Sequence, residues 1–235
     1  REIGLGDDHA GILVLGDTPV LGTPIAEVLG IEPDVLWELE VNPNRPDAMS
    51  VAGLARDLAA KVGVGFRLPS PPPVVAPGEP VTWTSGGTGG RSEAVTGGGV
   101  TFGVEIAAPE ACGRFVARVL TGVDATATSP DWMQRRLTDL GMRPISALVD
   151  ISNYVMLELG QPNHPYDLAK VGAATLRVRK AAPGEKMITL DDVERTCTVD
   201  DLLITDGHDV PVGIAGVMGG ADCQISSTTT EVLLE

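Results

Sequence analysis

Residues 143–166 read Arg143-Pro-Ile-Ser-Ala-Leu-Val-Asp-Ile-Ser-Asn-Tyr-Val-Met-Leu-Glu-Leu-Gly-Gln-Pro-Asn-His-Pro-Tyr166. After a Pro-containing turn, Leu148, Ile151, Val155 and Leu159 recur at helical spacing, and the run stops at Gly160. That pattern predicts one amphipathic helix with a glycine terminus. The loop that follows, Gln161-Pro-Asn-His-Pro165, sets two prolines around His164. Proline fixes φ and removes a backbone donor, so this loop holds the imidazole in one place. Ser152 and Asn153 interrupt the apolar run. Hydroxyl, amide and imidazole beside a stiffened backbone are the makings of a small polar site on an apolar wall.

Working outward, the 235-residue chain is long enough for one large domain or two modest ones, and its 43% hydrophobic content supports a core. Aromatic residues make up only 3%, so that core is built from Val, Leu, Ile and Ala. The formal net charge of −15 excludes broad contact with a nucleic-acid backbone, which requires clustered Lys and Arg. Any such contact is expected to be local, or supplied by another part of a larger assembly. Cys112, Cys197 and Cys223 stand far apart without a CxxC pair, which argues against cysteine-bound zinc and for a reducing, cytoplasmic compartment. No signal peptide and no apolar run approaching the ~20 residues of a membrane helix is present. The chain opens on Arg1 and closes on Val232-Leu-Leu-Glu235, which reads as a strand cut mid-element. An internal piece of a longer protein is therefore expected.

Before residue 66, strands are expected at Gly11–Leu15 and Val35–Val41, with a short helix from Pro24 to Gly30. The turn Asn42-Pro-Asn-Arg-Pro-Asp47 precedes a helix carrying Val51, Leu54, Ala55, Leu58 and Val62 on one face. Asp47 or Ser50 would cap it and Gly63 would end it. Proline at 69–73 and glycine at 85–92 and 97–99 mark a linker or surface insertion. Three regions result: a small N-terminal α+β region at 1–75, the Gly/Pro/Ser-rich linker at 76–103, and a regular domain at 104–235. In the last, Arg114–Leu120 alternates like a half-buried strand, and Ser129 as N-cap with Pro130 at the first helical position opens a helix with the stripe Met133, Leu137 and Leu140, ended by Gly141. Strands are also expected at Ala174–Arg179, Met187–Leu190, Glu194–Thr198, Leu202–Thr205 and Val210–Gly216, with Asp191–Val193 as the hairpin turn between the second and third. Many short strands with a few helices on one side indicate an α+β fold with a mixed or antiparallel sheet.

Gly213-Ile-Ala-Gly-Val-Met-Gly-Gly220 is neither a dinucleotide fingerprint nor a P-loop. Two readings stay open: a tight strand exit that needs positive φ, or a floor on which a ligand lies against bare backbone. His9 and His208 sit in Asp-rich loops, where solvated side chains are expected before a metal site. No nucleophile elbow, Ser-His-Asp spacing or HExxH motif occurs. The residues alone thus reach an intracellular α+β fragment with a small polar pocket, and no reaction.

Four blocks nevertheless resemble the β subunit of bacterial phenylalanyl-tRNA synthetase. They are Glu40–Asp57, Ala111–Arg118, Ser129–Leu137 continuing into the 143–166 stretch, and Ile214–Gly220 with Val232–Glu235. Together they span nearly the whole chain except the Gly/Ser/Thr-rich insertion. The resemblance implies a partial B1-like region at 1–75 and a B3/B4-like editing domain at 104–235, truncated at its C-terminal end. It implies proofreading, in which tyrosine misattached to tRNA(Phe) is removed by hydrolysis. An apolar pocket rejects an added hydroxyl by only about 100-fold, so a second, hydroxyl-seeking site is needed.

Under that resemblance Glu235 accepts the tyrosine hydroxyl, and Ser152, Asn153, Pro162 and His164 line the pocket. Ala215, Gly216 and Gly219 form its backbone wall. His164 positions water or ribose rather than serving as an obligatory base. The resemblance further implies the tRNA(Phe) 3′ end and an α subunit as partners, in a heterotetramer of two α and two β. The whole enzyme is expected to use ATP and Mg; this chain is expected to hold no metal or cofactor, no membrane segment and no aminoacylation centre. Ser152 stands where the family often has Thr, and Pro165 where a small residue such as Ala is usual. The alternative is a structural piece of the β subunit with no hydrolytic role of its own.

Overall fold

The computed structural model describes residue 15 and residues 20–31, 34–69, 92–97 and 100–235. Of the expected strand at Gly11–Leu15, residues 11–14 lie outside the described residues, as do the loop at 7–9 and the glycine-rich stretch at 85–91. The chain divides into two compact units, Arg1–Glu40 and Val41–Glu235. In the first, the described residues hold one helical turn, α1 (Ile25–Val28). Residues 35–41 do not form the expected strand. Their alternation is imperfect, and Val35, Leu36, Trp37 and Leu39 all remain exposed, so no single face is available to bury.

The second unit opens with a 3-10 turn at Pro46–Met49 and then α2 (Val51–Val62). Ser50 caps α2 by accepting from the Gly53 N–H at 3.0 Å, and Gly63 closes it at φ 74°. The turn folds onto the helix so closely that a Cβ at Gly53 would stand 1.7 Å from the Asp47 carbonyl oxygen. Arg45 and Arg56 both bond Asp47, and Arg45 also reaches Asp57, which locks the turn.

Strand β1 (Ser92–Gly97) pairs antiparallel with β2 (Val100–Ile106), so part of the stretch expected as linker belongs to a sheet. Then come β3 (Arg118–Thr121), α3 (Asp131–Asp139), α4 (Ala147–Leu159), β4 (Pro165–Asp167) and β5 (Thr175–Lys180). The hairpin β6 (Lys186–Ile188) and β7 (Glu194–Thr196), then β8 (Leu202–Asp206), β9 (Pro211–Ile214), β10 (Met218–Gly219) and β11 (Glu231–Leu234) complete the chain. The expected strand at 114–120 shrinks to β3; Phe115 and Ala117 are core residues reached before the ladder starts. Ser129 is not the cap of α3, because its hydroxyl is spent on buried Asp150 at 2.5 Å and Pro130 occupies the cap position. The helix expected from the Leu148–Leu159 spacing forms as Ala147–Leu159, and Gly160 ends it at φ 76°, but Ile151 and Leu159 of the expected apolar stripe stay exposed and the buried positions are Asp150 and Ser152.

The fold is α+β, with a mixed sheet. Six strands run in the order β1-β2-β5-β8-β9-β10, parallel only between β2 and β5. A separate antiparallel sheet has the order β3-β11-β4. Period-two alternation aims Phe102, Val104 and Ile106 of β2, Leu176 and Val178 of β5 and Ile204 of β8 into one core. Val119, Tyr166 and Leu233 of the small sheet fill the same core, so the two sheets bury one another's apolar faces. Leu203 points the other way, against Met187 and Cys197 of the β6–β7 hairpin. Helix α4 packs on α2 and α3 and delivers the chain to β4.

Candidate functional site

Strand β11 is the middle of the small sheet, and Leu233 lies opposite Tyr166 and Leu234 opposite Pro165. Backbone bonds extend that ladder one step, with Glu235 N–H donating to the His164 carbonyl at 2.9 Å and His164 N–H to the Glu235 carbonyl at 3.3 Å. Directly opposed residues, and residues two apart along a strand, share a face. His164, Tyr166, Leu233 and Glu235 therefore project from one side of the small sheet. Leu233 is consumed by the core, and the three polar-tipped residues meet at its edge. The Tyr166 hydroxyl donates to Glu235 Oε2 at 2.5 Å, and the Tyr166 ring meets the His164 ring edge-on, with centroids 4.5 Å apart.

The opposite wall is the β9–β10 hairpin. Its turn places Gly216 at φ 70°, the left-handed position of a type II turn. The Val217 N–H donates to the Ile214 carbonyl at 3.0 Å, the Ala215 N–H to Leu202 and the Gly220 N–H to Val212. The Gly216 N–H, at the turn of this hairpin, donates to no described residue. A Cβ at Gly219 would come within 2.4 Å of both Cε1 and Nε2 of His164, so glycine is what lets the imidazole lie on the hairpin. Between the walls is a cavity of about 430 Å³ bounded by Pro162, His164, Gly216, Gly219 and Glu235, among others. That volume falls within the range of small-ligand sites.

Burial governs the electrostatics. It pushes the His164 imidazole down to about 4, so the ring is neutral at pH 7, and Nε2 is buried with no partner among the described residues. Burial pushes Glu235 up, while the Tyr166 hydroxyl stabilises its charged form. Tyr166 is raised by burial and by the neighbouring Glu235.

Of the residues singled out in the sequence, His164, Pro162, Glu235, Gly216 and Gly219 come together at this cavity. Ser152 does not line it. Its hydroxyl donates to the Asn163 carbonyl at 2.8 Å, and the Asn163 amide returns to the Ser152 carbonyl at 3.2 Å. This reciprocal pair fastens the proline loop to α4. Asn153 lies on α4 away from the lining, and Ala215 packs against the core. Tyr166 was missed, although it sits two residues after His164 on a short strand and so faces the same way. Among the described residues no cluster of His, Cys, Asp and Glu is arranged to hold a metal ion. No described helix is long and apolar enough to cross a membrane.

The two packed sheets and the cavity between them fall within residues 111–235 for the most part, and over those residues the chain matches the B3/4 domain model and belongs to that family. Over its whole length the chain is similar to phenylalanine–tRNA ligase beta subunits. It is 47% identical to that of Anaeromyxobacter dehalogenans, 43% to that of Streptomyces avermitilis and 41% to that of Nitratidesulfovibrio vulgaris. In each case all of this chain aligns, and it spans only 26–27% of the relative's length. Among solved structures, an N-terminal fragment of the Pyrococcus horikoshii phenylalanyl-tRNA synthetase beta subunit aligns with 81% of this chain and 52% of its own. At a TM-score of 0.40 and 14% identity it is too distant to bear on the site.

Proposed function

We propose that this chain is the proofreading part of a phenylalanine–tRNA ligase beta subunit, and that its cavity hydrolyses tyrosine misattached to tRNA(Phe). The observation that carries the reading is the cross-strand placement of Glu235 beside His164 at a cavity of about 430 Å³. A carboxylate accepts a hydrogen bond from a phenol, and a phenylalanine side chain offers it none. Glu235 then separates tyrosine from phenylalanine by a charge-assisted bond inside a partly desolvated site.

In this reading the ester lies along the β9–β10 hairpin, where the Gly216 N–H donates to the oxygen that gains charge as water attacks. Neutral His164 holds the water or the terminal ribose by one hydrogen bond, since a ring titrating near 4 is a weak base at pH 7. The acidic chain, at −15, suits a pocket for the 3′ end and leaves the tRNA body to other parts of a larger assembly. Within that assembly we place an α subunit carrying the ATP- and Mg-dependent aminoacylation, two copies of each subunit, in the cytoplasm.

The test is deacylation of tyrosyl-tRNA(Phe) by the complete ligase with Glu235→Ala or His164→Ala. Loss of a hydrogen bond to a charged acceptor predicts roughly 10- to 100-fold slower clearance for Glu235→Ala. Wild-type clearance by both variants would leave this region as scaffold.

A further inference from the structure

Tyr166 is the residue that joins the two halves of the polar row, and nothing in the proofreading reading uses it. It is 1% exposed, and its backbone is fixed opposite Leu233 in the small sheet. Its ring packs edge-on against His164, and its hydroxyl makes one hydrogen bond, to Glu235 Oε2. A Cβ at Gly213 would be 3.5 Å from that hydroxyl, so the hairpin backbone runs alongside the phenol. A lone Glu side chain has a broad terminal torsion, so an unsupported carboxylate would swing and present no fixed acceptor. Here one oxygen is held, while Oε1 receives no hydrogen bond from any described residue.

We propose that Tyr166 is the positioning residue that sets the specificity of this cavity: its hydroxyl pins Oε2 of Glu235 and its ring backs His164, leaving Oε1 as the acceptor for a phenolic hydroxyl on the ligand. The proposal rests on the proofreading reading above. The protein thus keeps one phenol permanently on the carboxylate and admits a second on the remaining oxygen. The other groups near Glu235 are the His164 imidazole, the Cys112 thiol that feels its charge, and Arg114 and Arg118, which share with it an adjoining cavity of about 620 Å³. All of these stay in place when only the Tyr166 oxygen is removed.

The experiment compares the complete ligase in four forms: wild type, Tyr166→Phe, Glu235→Gln and the double variant. It measures kcat and KM for deacylation of tyrosyl- and phenylalanyl-tRNA(Phe) across pH. Tyr166→Phe is expected to raise KM for the tyrosyl ester and to lower the tyrosyl-over-phenylalanyl preference by about tenfold, the worth of one hydrogen bond to a charged group. It is also expected to move the acid-side midpoint of that preference to higher pH, because Glu235 loses the donor that favours its charged form. The double variant should match Glu235→Gln alone, since the hydroxyl then has no charge to hold.

Glu235→Gln at wild-type preference refutes the role of Glu235 as the charged acceptor in the proofreading reading, and with it the premise of this proposal. Loss of preference in Glu235→Gln alongside an unchanged KM and an unchanged midpoint in Tyr166→Phe overturns the Tyr166 proposal and leaves that reading intact. If Tyr166→Phe melts well below wild type, 3-fluorotyrosine at position 166 replaces it. The more acidic phenol is a stronger donor and must move the midpoint to lower pH; an unmoved midpoint overturns the proposal.

Discussion

Gly219→Ala puts a methyl group where the His164 ring now lies, 2.4 Å from two of its atoms. Contact at that distance is impossible, and the imidazole cannot simply retreat. Behind it is the Tyr166 ring at 4.5 Å between centroids, itself bonded to Glu235. The His164 backbone is held as well, its N–H donating to the Glu235 carbonyl and its carbonyl accepting from the Glu235 N–H. The ring must therefore rotate toward the cavity, or the hairpin must lift. Overpacking of this kind destabilises by about 1–3 kcal/mol. For a chain of this size each kcal/mol moves Tm by about 2–4 °C, so the expected loss is roughly 2–12 °C. A ring driven into the open cavity regains solvent, so its titration should climb from about 4 toward the ordinary value of 6.5. Calorimetry reads the first effect, and NMR of the imidazole protons against pH reads the second. Gly216→Ala is the control: no atom lies within 4 Å of its added Cβ, and only the φ of 70° is strained. It should lose about 1–2 kcal/mol with His164 titrating as before. A Gly219→Ala protein that melts and titrates like wild type would refute the proposed role of the bare hairpin.

Four further outcomes follow from the same geometry. Folding stability should fall as pH drops from 6.5 toward 4, because the unfolded chain protonates His164 while the folded chain does not; the loss is bounded by about 3 kcal/mol and vanishes in His164→Asn, read by urea melts at each pH. Glu235, held above its usual range by burial, works in the opposite sense: its contribution is present at low pH and is lost as pH rises through its folded value, so Glu235→Gln should steepen the acid-side fall. Ser129→Ala removes the hydroxyl donor at 2.5 Å from an Asp150 carboxylate that is only 1% exposed, leaving the Ile145 N–H, and should destabilise by about 1.5–3 kcal/mol in the same melts. Ser50→Ala removes the α2 cap and should lose about 1 kcal/mol, with amide exchange quickening first at Gly53.

What the sequence disclosed and what it withheld divide along local versus distant interactions. Helix α4, its Gly160 terminus and the Ser50 cap of α2 follow from spacing and residue type within a single turn or two. The β6–β7 hairpin was legible for the same reason, and Asp192 at φ 60° shows its turn. Ser129 misled because a hydroxyl before proline resembles a cap, while its partner Asp150 is 21 residues away. The Val35–Val41 stretch misled because apolar composition says nothing about which face will find a neighbour. The meeting of Glu235 with His164 was reachable only through family resemblance, since strand register across 69 residues, the span from Tyr166 to Glu235, leaves no local trace. Ser152 was singled out by its polar interruption of an apolar run, and that observation was sound. The hydroxyl's use is to fasten a loop, which spacing cannot distinguish from lining a cavity.

The middle strand of the small sheet, β11, enters the chain long after both its neighbours. During synthesis β3 and β4 are made first and wait with bare edges, unable to pair with each other because a place for one strand lies between them. A nascent chain caught at that moment exposes unpaired backbone that can capture another polypeptide. Its pocket is incomplete too, because Glu235 has not yet been added. Slow codons or a pause just before Glu231 would lengthen that exposure, so aggregation in the cell should depend on translation speed through this short segment.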